Sequence, residues 1–139
     1  MKRKFALAIV VLLVLSCSND NGDSNNCEFQ TVINDELYRN SPSALLTIND
    51  LEISGNCLRI DFSSSGCSGN TWELNLIDSG AILESFPPQR MLRLTLKNEE
   101  LCEALFTKQL TFDISNLKVD GNTVLLNVEG YEDKILYKY

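Results

Sequence analysis

The fold is decided by residues 45–62, which read LLTINDLEISGNCLRIDF. Apolar and polar residues alternate over residues 58–62, which is the period of a strand that buries one face. The residues before the turn alternate in the same way, except that Asn49-Asp50 interrupts the pattern like a bulge or bend. Gly55-Asn56 separates the two halves, and both residue types accept the positive φ of a tight turn. The stretch therefore predicts a β-hairpin.

The same alternation recurs outward from this hairpin in both directions. Further candidate strands lie at residues 29–33, 72–76, 92–96, 110–114, 124–128 and 135–139. Turn residues separate the strands at intervals of roughly 8–15 residues, a spacing typical of all-β domains. Only residues 98–104 suggest a helical turn or two, with Asn98 as the cap.

We therefore predict an all-β fold of seven to eight strands. Each strand has one apolar face, and two sheets can bury those faces against each other. The architecture expected from this pattern is a two-sheet antiparallel sandwich of the immunoglobulin-like kind. The alternative is a partly open β-barrel.

The connections between the strands are predicted from serine, glycine and proline. Residues 63–70 are rich in serine and glycine and are expected to form a loop around Cys67, and Asp78-Ser79-Gly80 is expected to end the strand before it. Pro87-Pro88 cannot donate to a ladder, so residues 81–90 are expected to be an edge segment or a stiff crossover between the sheets. Phe86 would then close one end of the core.

The same proline segment is a candidate recognition loop. Two prolines reduce the ordering entropy that is lost on binding, and Phe86 offers an anchor for a partner. Trp72 and Tyr137 are in phase with apolar neighbours and are expected in the core, whereas Tyr131 lies beside a turn glycine and is expected to be exposed. The candidate binding residues are Phe86, Pro87, Pro88, Arg90 and Tyr131.

The N-terminus has the organisation of an export signal. Lys2-Arg3-Lys4 is positively charged, and residues 5–15 form an unbroken run of 11 apolar residues. As a helix this run would span about 16 Å, against a hydrocarbon core of about 30 Å. It is therefore too short for an ordinary transmembrane helix and fits the apolar region of a signal peptide.

Val14-Leu15-Ser16-Cys17 resembles the lipobox of bacterial lipoprotein precursors, in which an aliphatic, a variable and a small residue precede the cysteine. The resemblance implies cleavage before Cys17, a diacylglyceryl thioether on its sulfur and a fatty acyl chain, such as palmitate, on its amine. Several chains on one residue anchor stably, because each buried CH₂ contributes about 0.8 kcal/mol.

This resemblance divides the chain into three parts. Residues 1–16 are the expected signal peptide, residues 17–26 the lipidated cysteine with a flexible polar tether, and residues 27–139 the β-sandwich domain. The polar and acidic tether is similar to those of small Bacteroidota lipoproteins of unknown function. The expected location is the cell envelope, at the outer membrane, facing either the periplasm or the cell surface.

The remaining cysteines are Cys27, Cys57, Cys67 and Cys102. An even number in an exported chain predicts two disulfides, although four cysteines allow three pairings. The predicted turn and loop positions favour Cys27–Cys57 with Cys67–Cys102. A zinc site is disfavoured, because the chain has no histidine and no closely spaced cysteine pair.

The charge and the missing histidine exclude several function classes. The signal peptide contains three of the 12 basic residues and none of the 19 acidic ones, so the mature chain has a net charge of 9 − 19 = −10. Such a chain does not suit nucleic-acid binding or electrostatic docking on anionic lipid. Without histidine, Ser-His-Asp and Cys-His nucleophile pairs are excluded. We predict no cofactor, no metal and no enzymatic activity.

These observations favour a membrane-anchored extracytoplasmic lipoprotein that acts as a non-catalytic binding or structural module. Its expected contacts are the membrane, through the lipid on Cys17, and a protein or glycan partner. One alternative is an inhibitor or immunity-type protein that occupies a basic enzyme cleft. Another is a small hydrolase with paired carboxylates. The nearest acidic cluster, otherwise expected to be a solvated face, is Glu84, Glu99, Glu100 and Glu103.

Overall fold

The computed structural model describes residues 26–139; the predicted signal peptide, Cys17 and the predicted tether up to residue 25 lie outside the described residues. The strands are β1 Phe29–Gln30, β2 Val32–Ile33, β3 Thr47–Ser54, β4 Cys57–Gly66, β5 Glu73–Leu83, β6 Gln89–Lys97, β7 Ala104–Asp113, β8 Thr123–Val128 and β9 Ile135–Lys138. A short helix, α1, spans Asp35–Asn40, and a 3₁₀ turn spans Ser115–Leu117. Neither described helix has the length and apolar character needed to cross a bilayer.

The strands form two sheets that face each other and do not close into a barrel. One sheet has the order β1-β7-β4-β3 and the other β2-β5-β6-β8-β9. The predicted sandwich is thus confirmed, but it is mixed and not antiparallel, because β1–β7, β2–β5 and β6–β8 are parallel pairs. After β6 the chain leaves this sheet to form β7 in the other sheet. It then returns as β8, which runs parallel to β6.

The hairpin formed by β3 and β4 agrees with the prediction. The pairing of the two strands shifts between Ile48 and Asp50, which places the predicted bulge at Asn49. Gly55 supplies the positive φ of the turn, at 59°, and the neighbouring Asn56 does not need one. The hydroxyl of Tyr137, on β9 of the opposite sheet, donates to the Asn56 side chain, and burial raises the pKa of Tyr137 to about 12. This contact ties the two sheets together at the hairpin.

The core lies between the sheets and contains the residues that the alternation assigned to it. The fully buried side chains include Leu58, Ile60, Phe62, Leu92, Phe112, Leu126 and Tyr137, with Trp72 at the margin. The disulfides Cys27–Cys57 and Cys67–Cys102 join segments 30 and 35 residues apart, which confirms the favoured pairing.

The first predicted strand is divided between the two sheets. Phe29 and Gln30 pair with β7, the buried Thr31 crosses the gap, and Val32 and Ile33 pair with β5. The α1 helix follows and was not predicted. Its sequence signal is Asn34-Asp35-Glu36, because the Asn34 side chain accepts a hydrogen bond from the Leu37 N–H at 2.8 Å and the acidic residues favour the first turn.

Four predicted connections are corrected by the structure. Residues 63–66 belong to β4, because they pair with β7 and Ser64 donates to the Leu45 carbonyl at 2.7 Å. Asp78-Ser79-Gly80 is a bulge inside β5, with Gly80 at a φ of 77°, and does not end the strand. Residues 98–103 form no helix, since the Asn98 side chain donates to Ser65 and accepts from Glu100.

The fourth correction concerns the proline segment. Residues 84–88 connect β5 and β6, which are antiparallel neighbours in one sheet, so the segment is a hairpin loop and not a crossover between sheets. Phe86 is fully exposed at this loop and does not close the core. The end of the core is closed instead by a buried ion pair between Asp78 and Arg90.

Candidate functional site

One side of the sandwich is open because β1 and β2 are short. β1 pairs with β7 only at Phe112 and Asp113, and β2 pairs with β5 only at Ile77 and Asp78. Among the strands of residues 26–139, most of β7 and the first residues of β5 therefore have a partner on one side only. The gap between these two strands exposes the margin of the core.

A groove of about 490 Å³ occupies this gap. Its apolar wall consists of Phe29, Trp72, Leu74 and Leu110, and its polar rim includes Asn75 and Lys108. The volume falls within the range of about 300–1,000 Å³ that is usual for ligand sites, which are also mostly apolar with a few polar groups. We refer to this gap as the groove.

Lys108 is the basic residue of the groove. It lies on β7 between Phe106 and Leu110, at positions that alternate towards the interior. Its ammonium donates to the Gly69 carbonyl and lies 5.3 Å from the centroid of the Trp72 ring, a cation–π contact. Lys108 therefore links β7 to the loop that crosses above the groove.

That loop, residues 67–71, is organised around the carboxylate of Glu100, and we call it the capped loop. Glu100 accepts hydrogen bonds from the backbone N–H groups of Cys67, Ser68 and Gly69 at 2.6, 3.0 and 2.9 Å, and from the Thr71 hydroxyl at 2.9 Å. The hydrogen bonds from Ser68 and Gly69 lower the pKa of Glu100 to about 2.

Glycine is required where this carboxylate and the Trp72 ring approach the backbone. A Cβ at Gly66 would overlap the Glu100 carboxylate and lie 3.0 Å from the Trp72 ring. Gly69 adopts a φ of 68°. The Glu100 carboxylate therefore stabilises the capped loop. The prediction that the acidic cluster of Glu84, Glu99, Glu100 and Glu103 is a solvated face is wrong for Glu100.

We expect Glu100→Gln to destabilise the domain at neutral pH, and to do so less as the pH falls. A lowered native pKa stabilises the fold fully above the ordinary value of 4.5, and this contribution is lost as the pH falls towards about 2. The measurement is the difference in melting temperature between wild type and variant from pH 7 to pH 2. Glu99→Gln, an exposed neighbour, is the matched control. A difference that is the same at every pH would contradict the prediction.

The structure separates the residues predicted to form a binding loop. Phe86 is fully exposed, whereas Pro87 and Pro88 are half-buried. Arg90 is buried in its ion pair with Asp78, and Tyr131 packs against the core and is only partly exposed. These residues therefore do not form one recognition surface, and Phe86 alone among them has the exposure of a contact residue.

Several acidic residues of the described domain are engaged in ion pairs or lie far from one another. Asp50, Glu52 and Asp61 surround Arg59 on the outer face of the first sheet. Glu84 and Glu99 lie at opposite ends of β6, so they do not belong to one acidic surface. Within residues 26–139 no group of three or more cysteine or acidic side chains has the geometry of a metal site.

The groove was not predicted from the sequence. Its lining residues come from β1, β5, β7 and the capped loop, and nothing local indicates that β1 stops after two residues. One signal was available: Lys108 interrupts the apolar phase set by Phe106, Leu110 and Phe112. A lysine in that phase indicates either an edge of the core or an opening in it.

The fold and the groove together define a disulfide-stabilised β-sandwich with an open side. No protein-family model and no curated protein sequence matches the chain. Two solved structures share the fold: a protein of unknown function, DUF1344, from Bacteroides vulgatus (TM-score 0.50, 22% identity) and a protein described only provisionally as toxin-related from Parabacteroides distasonis (TM-score 0.52, 19% identity). Each match covers 80% of this chain but only 56% and 59% of the respective neighbour. At these identities the likeness extends to the fold alone.

Proposed function

We propose that this protein is a lipid-anchored, extracytoplasmic binding module with no catalytic role of its own. The observation that carries the proposal is the pair of disulfides in a chain whose residues 14–17 resemble a lipobox. Disulfides persist in oxidising compartments and are rare in the cytosol. Both features support an exported protein that is held at a membrane through Cys17.

The groove supports binding as the role. Its walls are apolar and aromatic, its ammonium is engaged by Gly69 and Trp72, and the carboxylate of Glu73 at its rim pairs with Lys97 at 3.1 Å. Mostly apolar walls with a few polar groups are typical of sites that bind ligands. A protein or glycan partner is therefore expected, and the groove is the place on the domain that could hold it.

Replacing Cys17 by serine in the full precursor is expected to abolish lipidation. Wild-type protein should incorporate a clickable palmitate analogue and sediment with membranes, whereas Cys17→Ser should do neither, because the thioether needs the thiol. Ser18→Ala is the matched control and should behave like wild type. Unlabelled wild-type protein, or a Cys17→Ser variant that is still labelled, would contradict the anchor. Protease treatment of intact and lysed cells then distinguishes a surface location from a periplasmic one.

A second candidate is an inhibitor or immunity-type protein, and a separate observation favours it. Phe86 is fully exposed at a hairpin loop beside two prolines, which suits insertion into the cleft of an enzyme. Phe86→Ala should then weaken capture of the partner at least tenfold, while Leu110→Ala in the groove should leave capture unchanged. The opposite pattern would assign recognition to the groove.

A further inference from the structure

We propose that the free edge of β7 docks an extended segment of a partner protein, which adds a strand to the four-stranded sheet. This inference deepens the proposed binding function and rests on it for the existence of a partner. It is carried by the direction of the backbone groups on β7, by the place where β1 begins, and by the charge around the groove.

The backbone of β7 presents unpaired groups to the open side. The Thr111 N–H donates to the Glu28 carboxylate at 2.9 Å, and the Asp113 carbonyl accepts from the Thr31 N–H at 3.2 Å, both on the side of β1. Residues two apart on a strand direct their backbone groups to the same side. Leu105, Thr107 and Gln109 therefore direct their N–H and C=O groups to the same open side, where no described strand pairs with them.

The chain itself shows that this edge accepts a strand. β1 begins at Phe29 and pairs with β7 in parallel at two residues. Before Phe29, a side chain replaces the strand, because the Glu28 carboxylate and not its backbone carbonyl accepts the Thr111 N–H. The Cys27–Cys57 disulfide holds the preceding residue at β4, on the far side of β7. Cys27 is thus directed away from the free edge.

The edge carries few of the features that normally prevent strand addition. Residues 104–111 contain no proline and a single charged residue, Lys108, whose ammonium points to Gly69 and Trp72. Natural sheets usually block a long free edge with proline, with charges that point outward or inward, or with a covering segment, and Lys108 is the one residue of this kind on the stretch. Leu105, at the start of β7, is 74% exposed, so the edge also offers apolar surface.

The surroundings define the chemistry of the partner strand. Alternate side chains of an added strand would enter the groove, whose wall is apolar at Leu74 and Leu110. Around the edge lie Glu28, Glu73 and Glu103, and the described residues carry 9 basic against 17 acidic side chains. We infer a segment in which apolar residues alternate with basic ones. A second copy of this chain fits poorly, because the two acidic rims would repel each other.

The test uses the chain from residue 17 onward with Cys17→Ser, oxidised and not acylated. It is screened against displayed random peptides of about 10 residues, longer than a typical strand of about 5–6. The selected peptides are then measured against two further variants. Gln109→Pro removes one outward N–H without removing a bond to β4, and Gln109→Ala keeps that N–H and removes only the side chain.

We expect the selected peptides to alternate apolar and basic residues and to bind wild type and Gln109→Ala equally. Gln109→Pro should weaken binding at least tenfold, with a melting temperature close to that of wild type. Hydrogen exchange at Leu105, Thr107 and Gln109 should slow when the peptide binds. Failure to select any peptide, binding that Gln109→Pro does not change, or a wild-type dimer that Gln109→Pro dissociates would each overturn the proposal. Because the test protein is not acylated, failure of the anchor would leave these results unchanged.

Discussion

Asp78→Ala is expected to lower the free energy of unfolding by about 3–5 kcal/mol. Asp78 is completely buried and accepts hydrogen bonds from the Arg90 guanidinium at 2.8 and 3.0 Å. It also accepts the Gly80 N–H at 2.6 Å, which fixes the bulge in β5. Without the carboxylate, the guanidinium of Arg90 remains buried at the end of the core with no compensating charge. Chemical denaturation of wild type and variant measures the loss.

The matched control removes both charges at once. Asp78→Leu combined with Arg90→Met replaces the ion pair by apolar groups of similar size, and such replacements are often neutral or stabilising. We therefore expect the double variant to be more stable than Asp78→Ala. Equal losses in both variants would show that the bulge, through Gly80, matters more than the unpaired charge. A loss below about 1 kcal/mol in Asp78→Ala would mean that water reaches Arg90.

Removing the Cys67–Cys102 disulfide is expected to cost about 3–4 kcal/mol in the chain-entropy model. The bond closes a segment of 35 residues and joins the capped loop to the start of the segment that leads into β7. The double variant Cys67→Ala with Cys102→Ala increases the conformational entropy of the unfolded chain. It also loosens the capped loop, to which Glu100 is hydrogen-bonded. Urea denaturation of the oxidised wild type and the double variant gives the difference.

The other disulfide is the internal comparison for this prediction. Cys27–Cys57 closes 30 residues, so its entropic contribution should be nearly the same. Only the Cys67–Cys102 variant should also lose the pH-dependent contribution of Glu100, because that carboxylate caps the loop that begins at Cys67. If the stability of both variants depends on pH as that of wild type does, the hydrogen bonds of Glu100 to the capped loop form independently of the Cys67–Cys102 disulfide.

Much of the fold follows from local patterns in the sequence. The alternation over residues 58–62, 92–96 and 124–128 predicted strands that the structure contains, and the inward residues form the core. The bulge at Asn49 and the turn at Gly55 were also predicted, because each depends on a neighbouring few residues. The two disulfides could be paired because their cysteines lie in or beside predicted turns and loops.

The errors concern features that are set by distant residues. The local sequence Asp78-Ser79-Gly80 predicts the end of a strand. The structure shows a bulge there, because the Asp78 carboxylate accepts hydrogen bonds from Arg90 on the next strand. Glu100 is read as a solvated charge, but its partners are more than 25 residues away in sequence, around Gly69. The groove exists because β1 pairs with β7 for only two residues. A local sequence pattern does not show how many residues pair between two strands that lie far apart in the sequence.

The Cys27–Cys57 bond has a mechanical consequence. A pulling force that arrives at the domain from the N-terminal side meets Cys27 before it meets β1. The disulfide passes the load directly to Cys57 on β4, an interior strand that is paired along its length with β3 and β7. The two-residue strands β1 and β2 are thereby shielded from peeling. The force therefore passes through a covalent bond into the interior of the sheet, and resistance to extension should fall sharply when that bond is reduced.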